Sequence, residues 1–227
     1  MAGYGTHRYH VKDGADAITI SFMRAMTNEP ESDRRQCIIR AAFSALMEKG
    51  YAGTSTSEIA RRARVSKREL YAEFGSKIGI LEALVAATSS KMRAPLEGVD
   101  VADRTGFITA LTAYGAAALA ELTSPHVIAV NRLAAAEADR SAELGRMLDE
   151  RGRQAGRDAL VAFFAQAREA AVLTRGDPGD IASEFFSLLI GDLMLRLMLG
   201  VVRPPTRTEI ARRAERAKEA ILQLYAG

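Results

Sequence analysis

From Ser32 to the end of the chain, apolar residues recur at helical rather than strand spacing. Ile38, Ile39, Ala42, Phe43 and Leu46 share one face of a first helix, and Gly50 follows as a stop. Ser55 and Glu58 have the S-x-x-E spacing of a capping box, which opens a short helix through Ile59, Ala60 and Ala63. A second short helix is predicted from near Ser66 to about Phe74. Ser76 caps a longer one with Ile78, Leu81, Leu84 and Val85 as its buried stripe, and Pro95 and Gly98 mark the break after it. Further helices are predicted over roughly 103–122, 125–137, 141–171, 177–199 and 206–225. Ser124-Pro125 and Asp177-Pro178 each supply a cap followed by proline in the first turn, and Thr206 with Glu209 gives another capping box. No run of alternating β-branched residues occurs, so the expectation is an all-α protein.

Composition narrows the picture. The chain has 227 residues, 48% of them hydrophobic and 26% charged, which excludes disorder over its whole length. The single cysteine, Cys37, excludes an internal disulfide and a cysteine-rich metal site and suits a cytoplasmic address. Asp192 and Arg196 interrupt the longest apolar stretch, Ile181 to Val202, so no membrane partner is expected. The N-terminus lacks a basic stretch followed by an uninterrupted apolar segment, which argues against a signal peptide. Residues 1–31 show no sustained period, carry Gly3, Gly5, Gly14 and Pro30, and read as a mobile arm in which Met23 or Met26 could be the true start. His7 and His10 in that arm read as solvated tail residues, with a DNA-tracking arm or weak metal site as alternatives.

Charge is unevenly placed. Residues 32–92 carry eleven basic and six acidic side chains, a balance of +5, whereas 93–227 carry seventeen and eighteen. All of the positive excess therefore sits in one block, as in a polyanion-binding module attached to a nearly neutral body. Within the block, the two short helices at 55–63 and 66–74 have the dimensions of a helix-turn-helix. Ile59, Ala60, Ala63, Val65, Leu70 and Phe74 can pack the pair against the first helix. That turns Ser57, Arg61, Arg62, Arg64, Ser66, Lys67, Arg68 and Tyr71 outward, a set rich in phosphate and base donors. A generic helical hairpin with a basic rim has the same pattern.

The run GYAGTSTSEIARRARVSKRELYAEFGSKIGIL, residues 50–81, resembles the N-terminal domain of the TetR (tetracycline-repressor) family of bacterial regulators. The match covers about residues 32–92, and the later run FFSLLIGDL with a last helix ending LYA is similar to family members with the same helical body. The resemblance implies an N-terminal DNA-binding domain over 32–92, with its reading motif at about 55–74, and a C-terminal effector-binding and dimerisation domain over 93–227. It implies DNA contacts from Ser55, Thr56, Ser57, Ser66, Lys67, Arg68, Tyr71 and Lys77. Thr56, Tyr71 and Lys77 would meet phosphate, while Lys67 and Arg68 suit guanine O6 and N7. Three positions depart from the family pattern. Arg64 stands where glycine is usual and would be mildly strained in a left-handed turn. Glu69, in the pair Arg68-Glu69, removes a hydroxyl. Glu73 can accept from cytosine N4 or pair with an arginine or lysine one turn away, the second being preferred.

The body offers two further readings. The helix over 177–199 is apolar nearly all round, and the last helix carries Ile210, Ala214, Ala217, Ile221 and Leu224 on one stripe. Burial inside the protomer and a four-helix homodimer interface both explain this; the interface is preferred, with Phe185, Leu189, Ile221 and Leu224 facing the partner. Asp192 and Arg196 read as an ion pair or as cross-subunit partners. An effector cavity is expected between the helices of 103–171, lined by Phe107, Leu111, Tyr114, Asn131 and Phe163, with His126, Val130 and Phe164 as further candidates. Such a lining suits a hydrophobic or amphipathic small molecule. No catalytic constellation, cofactor motif or metal-ligand cluster is evident, which argues against an enzyme. The resemblance implies a ligand-responsive repressor of a palindromic operator on double-stranded DNA. A helical small-molecule-binding protein or enzyme whose basic block binds another polyanion is the alternative.

Overall fold

The computed structural model describes residues 30–226; the arm expected over 1–31 lies almost wholly outside them, as do His7, His10, Met23 and Met26. Every regular element among the described residues is helical. In chain order these are α1 (Pro30–Gly53), α2 (Thr56–Ala63), α3 (Lys67–Phe74) and α4 (Lys77–Arg93), then a single 3-10 turn, Ala94–Leu96. They continue with α5 (Arg104–Leu122), α6 (Pro125–Glu137), α7 (Glu143–Met147), a π-helical turn at Leu148–Gln154, α8 (Ala155–Glu169), α9 (Pro178–Ile190), α10 (Leu193–Met198) and α11 (Arg207–Tyr225). The chain divides into two compact units between Ile80 and Leu81, inside α4 rather than at the expected 92/93. Pro95 ends the helix, as expected, but the helix itself is shared out.

In the first unit the buried residues are Ile38, Ile39, Ala42, Phe43, Ala45 and Leu46 of α1, Ile59 and Ala60 of α2, Leu70 and Phe74 of α3 and Ile80 of α4, with α1 packed on α2 and α2 on α3. The expected stop at Gly50 is a kink with φ 72° and ψ 174°, after which a last helical turn reaches Gly53. Ser55 caps α2 by accepting from the Glu58 amide at 3.2 Å, but the Glu58 carboxylate does not return the bond, so the expected box is half made. A complete box forms instead on α3, where Ser66 Oγ accepts from Glu69 N at 3.1 Å and Ser66 N donates to Glu69 Oε2 at 2.7 Å. Ser76 Oγ accepts from Gly79 N at 3.1 Å in the first turn of α4.

In the second unit, α5 contributes seven buried residues, Phe107, Ala110, Leu111, Tyr114, Gly115, Ala118 and Leu119. By length and composition α5 is also apolar enough to cross a membrane, but those seven positions are core against α9 and α11. Aromatic rings fill this core: Phe107 stacks on Phe163 at 5.1 Å between centroids, and Phe185 lies between Tyr114 at 6.2 Å and Phe164 at 6.3 Å. Two expected helices are interrupted. The one over 141–171 contains the π turn, where Ser89 Oγ donates to the Arg151 carbonyl at 3.2 Å. The one over 177–199 breaks at Gly191, whose φ 54° and ψ −131°, followed by Asp192 at −84° and −3°, are type II′ turn values that require glycine first. The expected Asp192–Arg196 ion pair spans 3.7 Å, with both side chains more than half exposed.

The interface expected on the last helices is corrected by burial. Phe185, Leu189 and Ile221 are each 0% exposed within a single protomer, packed with Ala214 and Ala217, so they are core and cannot face a partner. Leu224, at 48%, does lie on the surface, as does Leu188, the exposed neighbour of Leu189 on α9. Asp177 accepts from the amides of Gly179 and Asp180, as expected of a cap, and Thr206 with Glu209 forms the predicted box. Ser124 does not cap α6 with its side chain; its Oγ donates to the Glu121 carbonyl at 2.6 Å.

Candidate nucleic-acid interface and effector cavity

The reading head is built on a left-handed turn. Arg64 ends α2 with φ 56° and ψ 39°, its N–H reaching the carbonyls of Ala60 and Arg61, while Val65 N donates to Ala60 O at 3.0 Å. That closing pattern needs positive φ, which an arginine adopts at a cost on the order of 1 kcal/mol. The turn sets α3 with Ser66, Lys67, Arg68 and Tyr71 exposed.

Ion pairs then sort the cations. Glu58 is the hub, 2.9 Å from Arg61, 2.9 Å from Arg62 and 3.2 Å from Lys49. These bonds, Arg61 first, hold its carboxyl down at about 2. Arg62 also binds Glu48 and, at 3.3 Å, Ser44 Oγ, and the Glu48 bond raises its already high pKa. Arg62 therefore points into the α1–α2 junction rather than outward as expected. The two carboxylates of α3 are both met by α1: Glu69 by Arg34 at 3.2 Å, and Glu73 by Arg35 at 2.9 Å. The Glu73 partner thus comes from another helix instead of one turn away. Arg35 also sits 5.2 Å over the Phe74 ring. With its acids occupied, α3 presents Lys67 and Arg68, which, like Arg64, have no ion-pair partner among the described residues.

The hydroxyls expected at phosphate are brought together. Thr56 Oγ1 and Tyr71 Oη stand 3.0 Å apart at the first turn of α2, beside exposed Ser57 and the capping Ser55. A hydroxyl pair at a helix N-terminus is a suitable donor set for one phosphate oxygen. Lys77 corrects the expectation. Its ammonium donates to the carbonyls of Tyr51 and, at 3.0 Å, Thr54, and lies 3.8 Å over the Tyr51 ring, so it ties the α1–α2 turn to α4. Thr54, not singled out from sequence, is buried and anchors the same turn by donating to the carbonyls of Ala45 at 3.1 Å and Gly50 at 2.8 Å.

The second unit holds a cavity of about 500 Å³. Four helical stripes line it: Leu84, Val85, Thr88, Ser89 and Met92 of α4; His126, Val127, Val130 and Asn131 of α6; Leu148, Gly152, Arg153, Gly156 and Arg157 of the π turn and α8; and Ser183, Phe186 and Ile190 of α9. Leu122 and Met194 complete the wall. Asn131 was expected there, as were His126 and Val130. Phe107, Leu111, Tyr114 and Phe163 were expected as well but belong to the packed core instead. Tyr114 acts from behind the wall, its hydroxyl donating to the Gly156 carbonyl at 3.1 Å. Burial, with Lys91 nearby, lowers the His126 pKa to about 4, so its ring is neutral near pH 7.

A tri-helical head whose reading helix presents Lys67 and Arg68, together with a second helical unit that holds a mainly apolar cavity, defines a helix-turn-helix DNA-binding protein. Residues 38–84 match the family model for bacterial regulatory proteins of the tetR family, and residues 109–227 match the C-terminal domain of AefR-like transcriptional repressors. The chain belongs to the TetR family of transcriptional regulators. It is 29% identical over 163 residues to the uncharacterized HTH-type transcriptional regulator YvkB of Bacillus subtilis (strain 168), covering 72% of this chain and 82% of that one. Among solved structures it is 30% identical to a TetR regulator from Agrobacterium tumefaciens, with TM-score 0.69 and coverage of 84% and 94%. The flavonoid-responsive regulator FrrA is also 30% identical, with TM-score 0.67 and coverage of 86% and 97%.

Proposed function

We propose that the chain works as a homodimeric repressor that an amphipathic small molecule releases from a two-fold DNA site. One observation carries this reading. The helix that begins with Lys77, bonded to the turn of the reading head, supplies five lining residues of the cavity further along its length. A ligand that prefers one setting of α4 would bias the spacing of two reading heads, and spacings that depart from the ~34–36 Å of one DNA turn lose the second half-site. The flavonoid response in the name of FrrA and the repressor description of the C-terminal family model support the same reading. Ser55, Thr56, Ser57 and Tyr71 position the head on phosphate, while Ser66, Lys67 and Arg68 read bases. The cytoplasm is the compartment where such a regulator meets DNA.

The test is selection of random genomic fragments by the purified protein, followed by sequencing of what is retained. Enrichment of a palindrome, bound with two protomers per site, supports the proposal. Retention without any common sequence overturns it.

A further inference from the structure

The cavity wall is mainly apolar, with Thr88, Ser89, His126, Asn131 and Ser183 as its neutral polar positions, and the formal charge it carries is cationic. None of its lining residues is an aspartate or glutamate, yet two are arginines. Arg153, in the π turn, and Arg157, in the first turn of α8, stand four residues apart. Arg153 is paired with Asp149. Arg157 is not paired with a carboxylate among the described residues: its Nη2 donates to two neutral acceptors, the Gly179 carbonyl and Ser183 Oγ, each at 3.2 Å. Ser183 Oγ donates in turn to the Gly179 carbonyl at 2.8 Å. Three acids adjoin that contact in sequence, Asp158, Asp180 and Glu184, but none of them is ion-paired with Arg157, and the Asp177 carboxylate is taken up by the amides of Gly179 and Asp180. The guanidinium has further N–H donors in its planar fork, a geometry that matches a carboxylate in two parallel bonds. His126 adds no further positive charge, being neutral near pH 7.

From Ser183, the lining of α9 continues through Phe186 and Ile190, and then to Met194 of α10. Seven residues of helix make ~10 Å of apolar wall leading away from the arginine. We infer that the cavity takes an amphipathic monoanion, a carboxylate with an unbranched or aromatic apolar body, whose head is bound by Arg157 beside Ser183 and whose body lies along Phe186 and Ile190. This deepens the proposed ligand response and rests on it only for the consequence at DNA. The charge requirement belongs to the cavity and is measured there.

Calorimetric titration of the full-length protein with decanoate, 1-decanol and decylamine compares one body with three heads. Decanoate is expected to bind ~10–100-fold more tightly than the alcohol, and the amine more weakly than both, the range given by charge-assisted bonds. In Arg157→Met the carboxylate and alcohol should converge, and Arg157→Lys should recover part of the preference. Circular dichroism melting confirms that the variants are folded, and should Arg157→Met not fold, the wild-type series and Arg157→Lys still decide. Equal affinities for decanoate and decanol in the wild type, no binding of decanoate, or an undiminished preference in folded Arg157→Met would each overturn the inference. DNA retention is read separately. Decanoate that binds with the stated preference and leaves DNA bound would sink ligand release while leaving the head-group assignment standing.

Discussion

At the scale of single residues, the head separates cations that hold the fold from cations that are available to DNA. Arg34, Arg35 and Arg62 neutralise Glu69, Glu73 and Glu58, whereas Lys67 and Arg68 are left outward. Lys67→Ala or Arg68→Ala should therefore relax base preference at one position of the retained sequence, at roughly 1–3 kcal/mol for a bidentate contact. Tyr71→Phe should weaken all sequences alike. Competition binding against single-base variants of the site separates the two, and uniform losses throughout would refute the division. Glu58 sets an acid limit. Its carboxyl is depressed from 4.5 to about 2, so the stability it contributes is complete above 4.5 and lost as pH falls toward 2. Urea midpoints of wild type and Glu58→Gln should differ most near neutrality, draw together as the pH falls below 4.5 and converge only toward about 2; a gap independent of pH would contradict the assignment. The start of the helix near Ser66 and the left-handed Arg64 were legible in the sequence because a turn is a local matter, whereas the capping box was read at Ser55 and forms at Ser66. The inward roles of Lys77 and Arg62 were not, because a basic residue near a helix start looks the same whether it meets a phosphate or a carbonyl.

At the scale of elements, α3 and α4 are joined so closely that one position admits no side chain. A Cβ at Gly79 would lie 2.0 Å from the Phe74 carbonyl oxygen, a backbone atom that cannot step aside alone. Gly79→Ala should destabilise the head by about 1–3 kcal/mol or more and lower DNA affinity with it. Gly75→Ala, at φ 68° but with open space around it, should cost only the ~1 kcal/mol of the left-handed backbone. Thermal melts of both rank them, and the reverse order would show that the junction yields. Helix existence was readable along nearly the whole chain, since caps such as Asp177 and Thr206 and the apolar period agree. The interruptions were less so. Gly191-Asp192 carries a turn signal inside an apolar run, and periodicity overrode it; the π turn at Leu148–Gln154 has no comparable mark.

At the scale of the whole molecule, apolar stripes were correctly seen and partly misassigned, because a period identifies a buried face without naming what covers it. Phe107, Leu111, Tyr114 and Phe163 meet other side chains, while the equally apolar Leu84, Val85 and Val130 meet a void. Likewise Leu189 meets its own protomer. Leu189→Arg should then prevent folding, since an unpaired core charge costs on the order of 3–5 kcal/mol. Leu188→Arg, on the exposed face, should leave the helical content unchanged and, on the homodimer reading, yield monomers that bind DNA weakly and without sequence preference. Sedimentation with circular dichroism distinguishes these outcomes; a dimeric Leu188→Arg protein would move the interface elsewhere, to the region of Leu195, Leu199 and Val201.

The turn at Arg64 sets two selective pressures against each other. Glycine at that position would relieve the positive φ and stabilise the head by about 1 kcal/mol, but it would delete an exposed cation next to the reading helix. A library screened for survival of heat should therefore drift toward Arg64→Gly, and one screened for retention on DNA at rising salt should keep arginine. Melting temperature and the salt slope of DNA binding should move in opposite directions in that single variant, with the slope falling by about one if Arg64 meets a phosphate. Robustness and grip, at this one residue, are alternatives.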